Sequence, residues 1–309
     1  MHFVSASDVH RACDWMALIE ALRVSHCGPM PLVDRSELHH ERDGGRDTFF
    51  NLPAYQPGVA MGTKVVTVMP QNPAKPEPLP AVQAAYVLCD GATGTPVAVI
   101  DGTALTYRKT AADSALASSL LSCPEAETLL MVGAGALAPF LIAAHRAVRP
   151  SLREVLVWNR GSAKAVALAS ACHARAVTDL EQAARHADII TCATSSTAPL
   201  IMGEWLKPGV HLDLVGSFTP GMRECDDTAV RRSRLFVDSR SFAIDQPGDL
   251  SQPLARGVIT RERIEADLFD LCRSGLAKPR LPADITLFKN GGGAHLDLFT
   301  ALFIWRAHA

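Results

Sequence analysis

The chain has 309 residues, 48% of them hydrophobic, and a formal net charge of −2. That is apolar material enough for two domains, too even a charge balance for a dedicated nucleic-acid binder, and too apolar a composition for disorder. No apolar run approaches the roughly 20 residues of a membrane helix, and the opening MHFVSASDVHRACDW lacks the long apolar centre of a secretion signal, so a cytoplasmic, non-membrane protein is expected.

In chain order, apolar residues at helical spacing predict a first helix over 8–27, with Asp8 as its cap. The polar, Pro-containing segment 28–47 reads as a loop or short edge strand. TFFNLPAY, AMGTKVVTVMP, VQAAYVLCD and TPVAVIDG then read as strands of a mixed or antiparallel sheet, punctuated by PQNPAKPEPLP and the turn DGATG. A helix from about 107 to 122 leads into a different rhythm. Strands are expected at 128–132, 154–158, 188–193, 211–215 and 234–237 with helices between them, the alternation of a parallel α/β sheet. ERIEADLFDLCRSG reads as a short helix, and the closing ITLFKNGGGAHLDLFTALFIWRAHA ends in an apolar helix expected to return to the N-terminal domain.

The most informative stretch is TLLMVGAGALAPFLIAAHRA: an apolar run, a glycine-rich turn and a helix. Gly133 and Gly135 occupy the first two glycine positions of a GxGxxG/A turn and Ala138 the third. Gly133 allows the tight turn, Gly135 lets backbone approach a pyrophosphate, and Ala138 lets helix and strand pack closely. The helix N-terminus then offers its amides to the anion. A second apolar strand, EVLVWNR, follows at the distance the motif requires. NAD-specific turns place Asp or Glu at the end of that strand; here stand Asn159 and Arg160, followed by Ser162 and Lys164. A carboxylate would repel a 2′-phosphate, whereas Arg160 can pair with one, so NADP(H) is preferred over NAD(H). As surface charges, Arg160 and Lys164 would carry no such meaning.

Eight cysteines (13, 27, 89, 123, 172, 192, 225 and 272) form no CxxC pair, and eleven histidines, including adjacent His39 and His40, form no HExxH. Zinc-ribbon and thioredoxin-like readings fail, the thiols read as reduced and mostly buried, and no metal is expected.

GTKVVTVMPQNP, VLCDGATGTPVAVIDGTALTYRKTAADSALAS, MVGAGALAPFLIAAH, VWNR, VGSFTPGMRE, QPGDLSQPLARGVI and ITLFKNGGGAHLDL follow one another in an order that resembles the ornithine cyclodeaminase/mu-crystallin family across nearly the whole chain. The resemblance implies an α/β architecture. A central Rossmann-type parallel-sheet domain (121–285) is flanked by a second α+β substrate and dimerisation domain built from 1–120 and 286–309. It also implies a homodimer acting on a small amino-acid or imino-acid substrate.

By the same resemblance Lys64 is an active-site lysine that binds a substrate carboxylate or serves as acid/base near an imine. Taken alone, it would be a strand-end lysine snorkelling to water. Relatives carry Arg immediately before Thr110; here Lys109 takes that place and Arg108 precedes it, so either could hold the carboxylate, and both could equally belong to a solvated helix end. Lysine keeps the charge but loses the planar two-point fork. Arg35 is a further carboxylate-binding candidate, with His39 and His40 competing for the position. The cofactor set implied is Thr110, Gly133, Gly135, Ala136, Leu137, Asn159, Arg160, Lys164, Ser217 and Lys289, with Asn290 and Gly291–Gly293 on a nicotinamide-side loop. Asp297 reads as a capping or structural carboxylate. Cyclodeaminases of the family have aspartate where this chain has Phe218, which either way cannot move a proton and otherwise reads as core packing. The expected activity is NAD(P)H-dependent reduction of a carboxylate-bearing ketimine such as Δ1-pyrroline-2-carboxylate. The alternatives are ornithine cyclodeamination, dehydration of a hydroxyproline, and non-catalytic nucleotide binding of the crystallin type.

Overall fold

The structure, a computed structural model, describes residues 1–43 and 45–308. The chain divides into two compact units, Met1–Ser25 with Pro29–Lys109 and Gly293–Ala309, and His26–Gly28 with Thr110–Gly292. The first opens with β1 (His2–Val4), α1 (Ala6–Ala12) and α2 (Trp15–Cys27). It continues through β2 (Leu32–Val33), β3 (Ser36–Arg42), β4 (Gly45–Gln56), β5 (Ala60–Val68), β6 (Val82–Asp90) and β7 (Pro96–Asp101) to α3 (Gly102–Leu121), within which the unit boundary falls. The second holds β8 (Thr128–Val132), α4 (Ala138–Val148), β9 (Glu154–Trp158), α5 (Ser162–Ala171), β10 (Arg175–Ala176) and α6 (Leu180–His186). After these come β11 (Ile189–Cys192), β12 (His211–Leu214), α7 (Asp227–Arg232), β13 (Arg234–Val237), α8 (Arg240–Ala243), α9 (Gly248–Ala255), β14 (Ile264–Asp267), α10 (Leu268–Ser274) and β15 (Thr286–Lys289). Helix α11 (Ala294–His308) closes the chain and belongs to the first unit.

In the first unit the strands run in the order β1-β7-β6-β5-β4-β2, with β3 also paired to β4. All neighbours are antiparallel except β1 and β7, so the sheet is mixed. The single helix expected over 8–27 is two. Ser5, not Asp8, caps α1, with Asp8 returning the bond to the Ser5 amide. Asp14 then interrupts the run, its carboxylate accepting from the Ala17 amide as α2 begins. The polar 28–47 segment is mostly strand: β3 pairs antiparallel with β4 from Ser36↔Asn51 to Arg42↔Gly45.

In the second unit eight parallel strands run β10-β9-β8-β11-β12-β15-β13-β14. β8, β11, β12 and β15 are buried throughout, as a parallel sheet covered on both faces demands. Strands 128–132, 154–158 and 234–237 fall where the apolar runs place them; β11 and β12 are slightly shorter than expected. Two expectations need correction. ERIEADLFDLCRSG is a strand and then a helix, because Asp267 and Asp270 form a capping box that starts α10 at Leu268 and leaves Ile264–Asp267 to pair with β13. Residues 286–289 belong to this sheet and not to the flanking domain, since β15 lies between β12 and β13; the boundaries fall after Lys109 and after Gly292.

Candidate functional site

Strand order reverses about β8 and β11, the place where a doubly wound sheet opens a crevice at the carboxyl ends of its strands. A cleft of about 500 Å³ lies there, lined by Gly133–Gly135, Trp158–Gly161, Lys164, Ala193–Ser196 and Leu200. Gly133 has φ +109°, and a Cβ on it would stand 2.6 Å from the Ala193 carbonyl oxygen, so the protein itself requires glycine. Gly135 differs: a Cβ there would meet no protein atom within 4 Å, and the room it leaves is room for a ligand. Ala136 is exposed, and Leu137 opens α4 without a side-chain cap, leaving that N-terminus to an anion. Buried Ala138 seats α4 against the sheet.

Asn159 braces the turn from the side. Its Oδ1 accepts from the Ala134 amide at 3.2 Å and its Nδ2 donates to the Gly161 carbonyl at 3.0 Å. Arg160 and Lys164 are exposed on the same cleft and form no ion pair among the described residues. These features fit a dinucleotide: a glycine kept open for phosphates, an uncapped helix start, and two cations with no carboxylate at the end of β9.

Other expected cofactor residues are used internally. Lys289 is fully buried, its Nζ 3.2 Å from Asp249 and donating to the Leu214 carbonyl at 3.1 Å. It is the last residue of β15, a central strand of the sheet. Ser217 donates to the Met222 carbonyl within its own turn. Asn290 ties the Thr110 carbonyl to the Ser114 hydroxyl, both at 3.1 Å. The amides of Gly291 and Gly292 donate to Asp238 Oδ2 at 2.8 and 2.6 Å. Phe218 is 60% exposed, so it is not core packing.

The first unit contains a buried charge cluster. Lys64 stands on the buried face of β5, a strand favoured by its Val and Thr residues. Its Nζ lies 2.9 and 3.0 Å from the two carboxylate oxygens of Asp297 and 3.4 Å from the Thr106 hydroxyl. Lys109 Nζ lies 2.9 Å from Asp297 Oδ1 and donates to the Gly293 carbonyl at 3.2 Å. Lys64, Lys109 and Asp297 are 5%, 1% and 0% exposed. Burial lowers the Lys64 ammonium to about 8; Lys109 pushes the same way, while Asp297 opposes both. Asp297 is thus the shared counter-ion of two lysines and not a helix cap. Its signal was available in the sequence: a carboxylate inside the apolar helix AHLDLFTALFIW must find a cation.

Arg108 does not join this cluster. Its guanidinium donates to His10 Nδ1 and to the His10 and Cys13 carbonyls at 3.1–3.2 Å, and stacks 4.5 Å from the Trp15 ring centroid. Arg35 pairs with Glu37 and lies 4.9 Å from the Phe50 ring centroid. His39 Nε2 lies 3.2 Å from Glu37, and its Nδ1 3.2 Å from the Thr48 hydroxyl.

Glu224, the last residue of GSFTPGMRE, carried no role in the sequence reading. It is fully buried in the second unit, where its carboxylate receives Thr194 and Gly216. Burial and nearby Asp249 raise it to about 7, against the pull of Lys289.

The Δ1-pyrroline-2-carboxylate reductase of Paracoccus denitrificans is 39% identical over 320 residues, covering 99% of this chain and 97% of that protein. The ketimine reductase mu-crystallin of Mus musculus is 35% identical over 260 residues, 82% of this chain and 78% of that one. The structure of Thermococcus litoralis Δ1-pyrroline-2-carboxylate reductase in complex with NADH and L-proline matches with a TM-score of 0.90 at 27% identity, over 99% and 97% of the two chains. Residues 8–308 match the model of the ornithine cyclodeaminase/mu-crystallin family. With the glycine turn, the parallel sheet and the lysine pair all in place, the chain belongs to the ornithine cyclodeaminase/mu-crystallin family.

Proposed function

We propose that the protein is a nicotinamide-dependent reductase of small, carboxylate-bearing ketimines, with Δ1-pyrroline-2-carboxylate the first substrate to test. NADPH is the preferred cofactor and NADH is accepted. The observation that carries this reading is Lys64, a buried ammonium loosened to about 8 and held against Asp297 beside a second ammonium. Reducing a ketimine requires a proton at nitrogen, and an acid poised near the operating pH delivers it best. Lys64 fills that role, and Lys109 holds the substrate carboxylate as a point charge, since Arg108 is committed to His10, Cys13 and Trp15. The bound cofactor supplies the hydride. Gly135 and the start of α4 suit its pyrophosphate, and Arg160 with Lys164 suit a 2′-phosphate. Similarity to named reductases supports the reaction class.

Ornithine cyclodeamination is set aside because Phe218 offers no proton-transferring group. A homodimer is the proposed assembly. It is supported by an apolar depression of about 590 Å³ on the first unit's sheet, lined by Leu32, Tyr55, Met61, Val87 and Cys89 among others, and light scattering checks it. The decisive assay follows NADPH or NADH oxidation on adding Δ1-pyrroline-2-carboxylate. Consumption is expected with this substrate. Tight nucleotide binding with no turnover over a panel of cyclic imino acids would instead favour a non-catalytic binding protein.

A further inference from the structure

We propose that Glu224 is the positioning residue of the nucleotide site, its carboxylate fixing the loops that follow β11 and β12 in the shape a nicotinamide nucleotide needs. The inference rests on the nucleotide reading above. Oε1 of Glu224 accepts from the Thr194 amide at 2.7 Å and the Thr194 hydroxyl at 2.8 Å, and Oε2 accepts from the Gly216 amide at 2.7 Å. Its main chain ties the same region together. The carbonyl accepts from Leu200 and Ile201 at 2.9 and 3.0 Å, and the amide donates to Asp249 at 2.7 Å. Glu224 therefore holds both ends of the 194–201 loop, which forms one wall of the cleft.

The fit is close enough to transmit a displacement. A Cβ on Gly216 would stand 2.1 Å from the Thr194 carbonyl oxygen, so the two loops touch backbone to backbone. The residue before Thr194 is Ala193, whose carbonyl sets the glycine requirement at Gly133. A change at Glu224 thus reaches the phosphate turn through two packed neighbours.

The charged and titratable groups facing Glu224 are Asp249 from α9, Lys289 from β15, the Cys192 thiol from β11 and the Cys225 thiol beside it. Burial and Asp249 bring the Glu224 carboxyl to about 7. On protonation one oxygen carries hydrogen and can no longer serve all three donors. Acid therefore loosens the cleft wall.

The test titrates NADPH and NADH into the wild-type protein and Glu224→Gln from about pH 6 to about pH 8. Wild-type affinity should fall about tenfold toward the acid end. Glu224→Gln should bind about tenfold more weakly throughout, with a flat profile. The KM of the imino acid at saturating nucleotide should stay unchanged, which general destabilisation would not leave untouched. A variant with wild-type affinity and the wild-type profile overturns the proposal. Should Glu224→Gln fail to fold by circular dichroism, Thr194→Val, which removes the hydroxyl that donates to Glu224 and accepts from the Ser196 amide at 3.3 Å, should still weaken nucleotide binding about threefold; unchanged binding overturns the proposal equally. A wild-type protein that binds neither nucleotide ends the nucleotide reading itself, an outcome distinct from wild type and variant binding alike.

Discussion

Two buried charge clusters, one in each unit, have opposite compositions. In the first unit two lysines, Lys64 and Lys109, converge on one carboxylate, Asp297. In the second, two carboxylates, Glu224 and Asp249, flank one lysine, Lys289. Burial displaces one member of each: the Lys64 ammonium falls to about 8, and the Glu224 carboxyl rises to about 7. One fold thereby keeps a cation ready to lose a proton and an acid ready to keep one. In the proposed reading only the first offers a proton to chemistry, while the second, tied to backbone amides, shapes a wall.

The comparison breaks first at Lys64. Lys64→Met should cut turnover of a cyclic imino acid by about 10²- to 10⁴-fold while nucleotide affinity is retained. Near-full turnover would remove Lys64 as proton donor. Asp297→Asn comes next, leaving two ammonium groups without their shared counter-ion. Urea unfolding should register a loss of about 3–5 kcal/mol, and in enzyme that remains folded the alkaline fall in activity should move to lower pH.

A contrast of glycines separates fold from ligand. Gly133→Ala should cost about 1–3 kcal/mol of stability, from its positive φ and the clash with Ala193, and abolish nucleotide binding. Gly135→Ala should leave stability within ~0.5 kcal/mol yet weaken the nucleotide. If both behave alike, the open space at Gly135 is not a ligand's space.

The pH dependence of stability should carry opposite signs for the two clusters. Native Glu224 keeps a proton that an unfolded glutamate releases, so its contribution is present below its ordinary 4.5 and is lost as pH rises toward about 7. Native Lys64 releases a proton that unfolded lysine keeps, so its contribution grows from about 8 toward 10.5 and is lost as pH falls. Chemical unfolding across this range should lose the acid-side slope in Glu224→Gln and the alkaline-side slope in Lys64→Met; slopes that persist in both variants would refute the assignment. The smallest effect is expected at exposed Arg160. There Arg160→Ala should lower NADPH preference over NADH by about tenfold, and an unchanged ratio would make it an ordinary surface charge.

Local pattern revealed much of this molecule. Strand β8, its glycine turn and α4 are short-range features, and VVTV around Lys64 marks a strand without help from elsewhere. What stayed hidden depends on partners distant in sequence. Asp297 meets Lys64 across 233 residues. β15 inserts between strands that precede it by dozens of residues, which is why residues 286–289 seemed to belong with the terminal helix. The family resemblance put Lys289 beside the cofactor, and nothing local announced its buried pairing with Asp249. Glu224 lay inside a quoted motif, but nothing local could say that its carboxylate would accept from Thr194 and Gly216.

Strand β3 has one further consequence. It pairs with β4 on one side only, and every residue of SELHHER is exposed. Such an open rim of unpaired amides and carbonyls is a template for adding a foreign strand. Glu37, His39, His40, Glu41 and Arg42 crowd it with bulky ionisable groups, leaving only Leu38 as an exposed apolar foothold. Replacing those charged side chains with valine would invite rim-to-rim aggregation of chains whose interiors are unaltered.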